Sequence, residues 1–151
     1  MALPQFTFPY VLPSLIALFA ILALIDARWR IIPDLVTIPT LVAGFFWGNG
    51  GLLGFLAGFT PLFLFAYLYY RHTGDDGIGG GDVKALAMLG TWIGWSGILV
   101  VQGVAVIACL VTISRVRAPL PFAPFILLGL LSYWLILETG YHILLTLTVS
   151  S

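Results

Sequence analysis

Charge is what this chain has least of. Lys and Arg number 6, Asp and Glu another 6, and charged residues fill only 8% of 151 positions, where a soluble domain carries about 25%. The formal charge is zero, so there is no basic field for nucleic acid and no acidic field for cationic partners. Cysteine is nearly missing too. Cys109 stands alone, which excludes an internal disulfide and a cysteine-rich zinc site. No low-complexity tract, repeat or linker interrupts the chain, and its length suits one domain over residues 1–151. The first apolar run, "MALPQFTFPYVLPSLIALFAILALID", has no basic stretch before it and no small-x-small site after it. It reads as a retained span rather than a cleaved signal peptide.

What fills the chain is apolar: 61% hydrophobic residues and a mean hydropathy of +1.11. That composition indicates an integral membrane protein, an all-α polytopic helical bundle. A span takes about 20 apolar residues, and the punctuation suggests about six transmembrane helices. They run roughly Pro9–Ile25, Leu35–Trp47, Leu52–Tyr70, Asp82–Trp95, Ile98–Ser114 and Phe122–Leu137, the second and fourth being the shortest. Arg28, Arg30, Arg71, Lys84, Arg115 and Arg117 all fall on one face of this arrangement, while "GNGG" and "GWSG" on the other carry no charge. By the positive-inside rule the basic face is cytoplasmic, with both termini outside, Trp47 and Trp95 at the outer interface and Trp29 at the inner one. Gly44 with Gly48, and Gly50, Gly54 and Gly58, recur every four residues, a spacing that lets helices approach closely in lipid.

Five of the six acids share the basic face: Asp26, Asp34, Asp75, Asp76 and Asp82, with Glu138 near the other. The densest polar stretch is "GDDGIGGGDVKAL" at 74–86. It is no phosphate loop, because Gly81 is followed by Asp82 and Val83 where Lys-Ser/Thr is required. No strand precedes it, as a dinucleotide fingerprint requires, and a calcium loop would need alternating oxygen ligands and a terminal glutamate. What remains is an aspartate at a helix start behind Gly79, Gly80 and Gly81, residues able to take positive φ and leave the backbone uncovered for another peptide. Asp26 stands at the inner end of the first span, where an ionisable residue is by default a functional candidate. Two such acids at one membrane level suit an aspartyl dyad, in which one carboxylate activates water and one carboxylic acid polarises a carbonyl. They equally suit a small proton- or cation-coupled carrier, and the residues alone leave both readings open.

Three segments resemble one family in the same order. "GIGGGDVKALAMLGTWIGW" is similar to the GxGD segment of the type IV prepilin peptidases and their archaeal preflagellin relatives. "LIDARWRIIPDLVTIP" resembles that family's first-aspartate segment, and "PLPFAPFILLG" its Pro-Phe-x-Pro-Phe turn before the last span. The resemblance implies a membrane aspartic endopeptidase of the cytoplasmic (inner) membrane. It would remove the short basic leader of a prepilin-like or preflagellin-like protein, after a glycine and at the cytoplasmic face. It implies Asp26 and Asp82 as the catalytic pair, no cofactor and no metal. Many bacterial members carry an N-terminal methyltransferase portion with paired Cys-x-x-Cys motifs, and this chain, with one Cys, is expected to lack it.

The remaining polar residues have plainer readings. Asp34 is expected to be the N-cap of the second span. Asp75 and Asp76 read as a solvated loop, or as a dock for the basic leader. Lys84 either orients or tunes Asp82 or snorkels to the interface. Gly79, Gly80 and Gly81 are the candidate substrate-approach and hinge residues. His72 and His142 lie on opposite faces and Cys109 in mid-span, where a small apolar role suits it.

Overall fold

The computed structural model describes residues 10–74, 79–113 and 121–149 of the chain. Asp75, Asp76, Arg115 and Arg117 lie outside the described residues, as do Pro9 and Ser114 at two expected span ends and the side chain of His142. Each long apolar run has become a helix: α1 Val11–Trp29, α2 Asp34–Trp47, α3 Gly51–Thr73, α4 Gly80–Ile113 and α5 Ala123–Val149. Four of these helices are long and apolar enough to cross a membrane, and α2, with 14 residues, is shorter. The protein is a multi-pass helical membrane bundle.

The count differs from the expected six because the fourth and fifth spans form one element. Within α4, Gly94 has φ 84° and ψ 170°, a region open essentially only to glycine. The contacts on either side show what this does. Asp82, at the start of α4, shares a cavity with Asp26, and Asp26 is hydrogen-bonded to Ala123 at the start of α5. Beyond the break, Gly97 packs on Tyr133 and Val101 on Gly129, so this half runs back along α5 toward Ala123. Cys109 accordingly comes within electrostatic reach of Asp82. The chain reverses at Gly94. A single residue does what "GWSG" was expected to do as a loop.

The first half of α4 is the centre of the bundle. Every residue from 85 to 91 is buried, and a helix that is apolar all round belongs inside. Leu86, Met88 and Leu89 there join Phe19 and Leu22 of α1 and Ile126 and Leu130 of α5 in one core. By contrast α3 buries Gly54, Gly58 and Leu62, one stripe at every fourth residue, and turns most of its aromatic side chains outward.

Glycine sets the α3–α4 spacing. A Cβ on Gly54 would strike the carbonyl of Gly90, one on Gly90 would strike that of Gly54, and one on Gly58 would strike that of Leu86. Backbone meets backbone, which is the packing expected from the four-residue spacing. Gly48 meets the Thr91 carbonyl in the same way, and Gly44 leaves room for the Thr91 side chain. The carbonyls of Thr91 and Trp92, which an unbroken helix would give to residues one turn on, accept the N–H groups of Gly50 (2.9 Å) and Asn49 (3.3 Å). Trp92 also donates its indole N–H to the Thr40 carbonyl at 2.9 Å. These bonds knit the α2–α3 connection to the turn at Gly94, and this end of the bundle is closed.

Candidate active site

The other end is built from the last turn of α1, the connection to α2, the first turn of α4 and the N-terminus of α5. The apolar run of α1 carries Asp26 into its final turn, where it is only 5% exposed. A buried carboxylate needs a hydrogen-bond donor, and Asp26 Oδ2 accepts the backbone N–H of Ala123 at 3.1 Å. That N–H is available because the first turn of a helix has donors without intrahelical partners. At the start of α5, Pro124 has no N–H and the amide of Phe125 already bonds to the Phe122 carbonyl at 2.9 Å. Ala123 is the donor left, and it points at Asp26. The first-aspartate segment and the Pro-Phe turn are thus joined by one hydrogen bond.

Helix α1 stops at Arg30, whose backbone is left-handed (φ 55°, ψ 37°) and whose N–H bonds to the Asp26 carbonyl at 2.8 Å. The chain then passes through Ile31 and Ile32 to Pro33, which occupies the N-cap of α2 at φ −67° and ψ 123°. Asp34 is therefore not the N-cap expected of it. It is the first helical residue and makes no capping bond. Its carboxylate instead binds Lys84, whose Nζ donates to Oδ1 at 2.9 Å and to Oδ2 at 2.8 Å. The ammonium of Lys84 is thus placed on Asp34, neither on Asp82 nor simply out at an interface.

Asp82 is the third residue of α4, with its N–H bonded to the Gly79 carbonyl at 3.1 Å. The three glycines before it do different things. A Cβ on Gly79 would stand 3.3 Å from Asp82 Oδ2, and one on Gly81 3.2 Å from the Cβ of Ile32. Gly80 has nothing within 4 Å of that position, so its backbone is bare. None of the three has positive φ; among the described glycines that conformation belongs to Gly51, Gly74 and Gly94. Room, not backbone freedom, explains glycine at 79 and 81.

Asp26 and Asp82 face one cavity of about 470 Å³, lined further by residues 30–34 and 79–81 and by Lys84. The two carboxylates come from helices far apart in sequence and are close enough for their charges to interact. An open, part-polar cavity with a pair of carboxyl groups can hold a water between an acid and a base. Among the described residues no three His, Cys, Asp or Glu side chains converge as a metal site would. Glu138 is exposed on α5, away from the cavity. Sequence reasoning missed the Ala123 N–H, which has no side-chain signature, and the cavity-lining place of Arg30, which read only as a topology anchor.

The profile of the type IV leader peptidase family matches residues 14–114, a segment that includes Asp26, Asp34, Asp82 and Lys84. The chain is similar to the prepilin leader peptidase/N-methyltransferase of Burkholderia pseudomallei (strain 1026b), at 35% identity over 132 residues, covering 77% of this chain and 43% of that protein. The protein of the same name from Pseudomonas aeruginosa is 30% identical over 121 residues, covering 70% and 42%. That of Dickeya chrysanthemi is 35% identical over 86 residues, covering 52% and 30%. The chain spans less than half the length of these relatives. No solved structure matches it.

Proposed function

This chain belongs to the type IV leader peptidase family, and from that premise we propose that it is an aspartic endopeptidase acting on prepilin-like proteins. Asp26 and Asp82 are its catalytic pair. The observation that carries the reading is their convergence: two carboxylates from separate helices line one open cavity at one end of an apolar bundle. In the reaction, the ionised carboxylate takes a proton from a water held between the two, and the water oxygen adds to the scissile carbonyl carbon. The protonated carboxyl group hydrogen-bonds the carbonyl oxygen as negative charge grows on it. Collapse breaks the C–N bond, and the proton taken from water passes to the leaving amine. The products are a leader ending in a carboxylate and a mature chain with a new N-terminus. The bare backbone at Gly80, beside Asp82, gives an extended substrate peptide room to approach.

In this reading the chain makes six passes, α4 supplying two, with this end at the cytoplasmic face of the inner membrane. The arginine distribution supports that orientation, and a short basic leader would be met there. Residues 1–151 act as one membrane peptidase unit, which corresponds only to the peptidase half of its relatives' name.

The test is co-expression with a prepilin carrying a basic leader, followed by mass spectrometry of the pilin N-terminus. The wild-type chain should remove the leader, and Asp26→Asn and Asp82→Asn, inserted to the same level, should not. Leader removal that persists in either variant takes that residue out of catalysis. Ion flux in proteoliposomes that follows a proton or cation gradient, with no leader removed by wild type, would support the carrier instead.

A further inference from the structure

Between the two acids runs a closed ring of structure. Asp26 ends α1, and the chain from Arg30 to Pro33 leads to Asp34. Lys84 bonds Asp34, and Lys84 stands one residue beyond Val83 from Asp82, on the same helical turn. In the same connection Ile32 packs against Gly81, while Ile31 is exposed. Lys84 and Asp34 are themselves 48% and 53% exposed. Ion pairs that open to water contribute little to stability, so holding the fold together is a poor account of this one. What it does fix is register, because both carboxylate oxygens are engaged by a single ammonium.

We infer that the Asp34–Lys84 ion pair is a positioning device, tying the α1–α2 connection to the first turn of α4 and so setting Asp26 and Asp82 in working relation. Asp34 and Lys84 touch neither the water nor the scissile bond. They act through the backbone that carries the two acids. The inference rests on the peptidase reading for its effect on rate, but the geometric tie stands apart from it.

Two measurements test it. In leader-removal kinetics, Lys84→Gln and Asp34→Asn should each lower kcat by about ten-fold, as small misplacements of reacting groups do, with KM nearly unchanged. The double variant should be no slower than either single one, the sign of a shared function, and Lys84→Arg should restore most of the rate. The second measurement needs no activity. A Cβ at position 81 stands 3.2 Å from that of Ile32, near the ~3.8 Å of a disulfide. In a Cys109→Ser chain, Ile32→Cys with Gly81→Cys should therefore cross-link under mild oxidation in membranes, and adding Lys84→Gln or Asp34→Asn should lower the yield. Equal cross-linking with and without the ion pair overturns the inference, and so do single variants that cut at the wild-type rate. Cross-linking that depends on the pair, in a wild-type chain that removes no leader, would sink the peptidase reading and leave the tie standing.

Discussion

Where the α2–α3 connection meets the turn at Gly94, backbone touches backbone: Gly54 of α3 packs on Gly90 of α4, and Asn49 and Gly50 bond to the carbonyls of Trp92 and Thr91. Where α1 stops and α4 starts, the helices part around a cavity of about 470 Å³ lined by Asp26, Asp34, Asp82 and Lys84. The first end has no charged side chain in its contacts, and a Cβ added at Gly48, Gly50, Gly54 or Gly90 would strike a backbone carbonyl. The second gathers the acids and leaves space between them. One helix, the first half of α4, runs from one end to the other and is buried along most of its length. A bundle pinned tightly at one end can hold side chains in register at the other without filling the space that a substrate needs.

The two ends can be perturbed separately, and the largest effect is expected from changing the open end while leaving the closed one intact. Asp82→Asn should lower leader removal by about 10³-fold or more, the range that acid–base groups supply, while thermal unfolding in detergent stays at the wild-type midpoint. Next in size is the closed end. Gly54→Leu or Gly90→Leu should destabilise the bundle by about 3 kcal/mol, read as a lower unfolding midpoint by fluorescence-detected size exclusion. Gly94→Ala forces a Cβ into a glycine-only conformation and should cost about 2 kcal/mol. Activity at low temperature, in the fraction still folded, should then be retained.

Asp26 has two roles, because it is a cavity acid and also a hydrogen-bond acceptor in the packing. Asp26→Ala should lower stability by about 1–3 kcal/mol, leaving the buried Ala123 N–H without its partner. Asp26→Asn keeps an acceptor and should fold nearly as well as wild type. Asp82→Ala should leave stability close to wild type. Equal midpoints for the two alanine variants would show that the Ala123 contact does not hold α5 in place. Smallest of all, Phe46→Leu on the exposed face of α2 should change stability by no more than about 0.5 kcal/mol.

Much of this was legible in the sequence, for reasons that differ by residue. Asp26 and Asp82 stand out because carboxylates are rare in an oily chain, and their common level follows from where the apolar runs begin and end. Gly50, Gly54 and Gly58 carry their packing in their spacing. Span edges were read within a few residues for α2 and α3. The reversal at Gly94 was legible as a break between apolar runs, but not as one residue within a continuous helical element. That difference lies in a backbone angle that other glycines could also adopt. The Asp34–Lys84 pair was hidden because its partners are separated by 50 positions and each had a sufficient local explanation. The Ala123 N–H was hidden more deeply, since every non-proline residue has one and only the folded helix start leaves it free.

The bond between Asp26 and Ala123 joins positions 97 residues apart, and that separation is also an interval of time. Chains grow from the N-terminus at about 5–20 residues per second, so Asp26 waits roughly 5–20 seconds for its donor to be synthesised. Until the start of α5 arrives, the cavity lacks the contact that seats its first carboxylate. Both acids are therefore made before the N–H that Asp26 accepts, and the α1–α5 contact closes only after α1 to α4 have been synthesised.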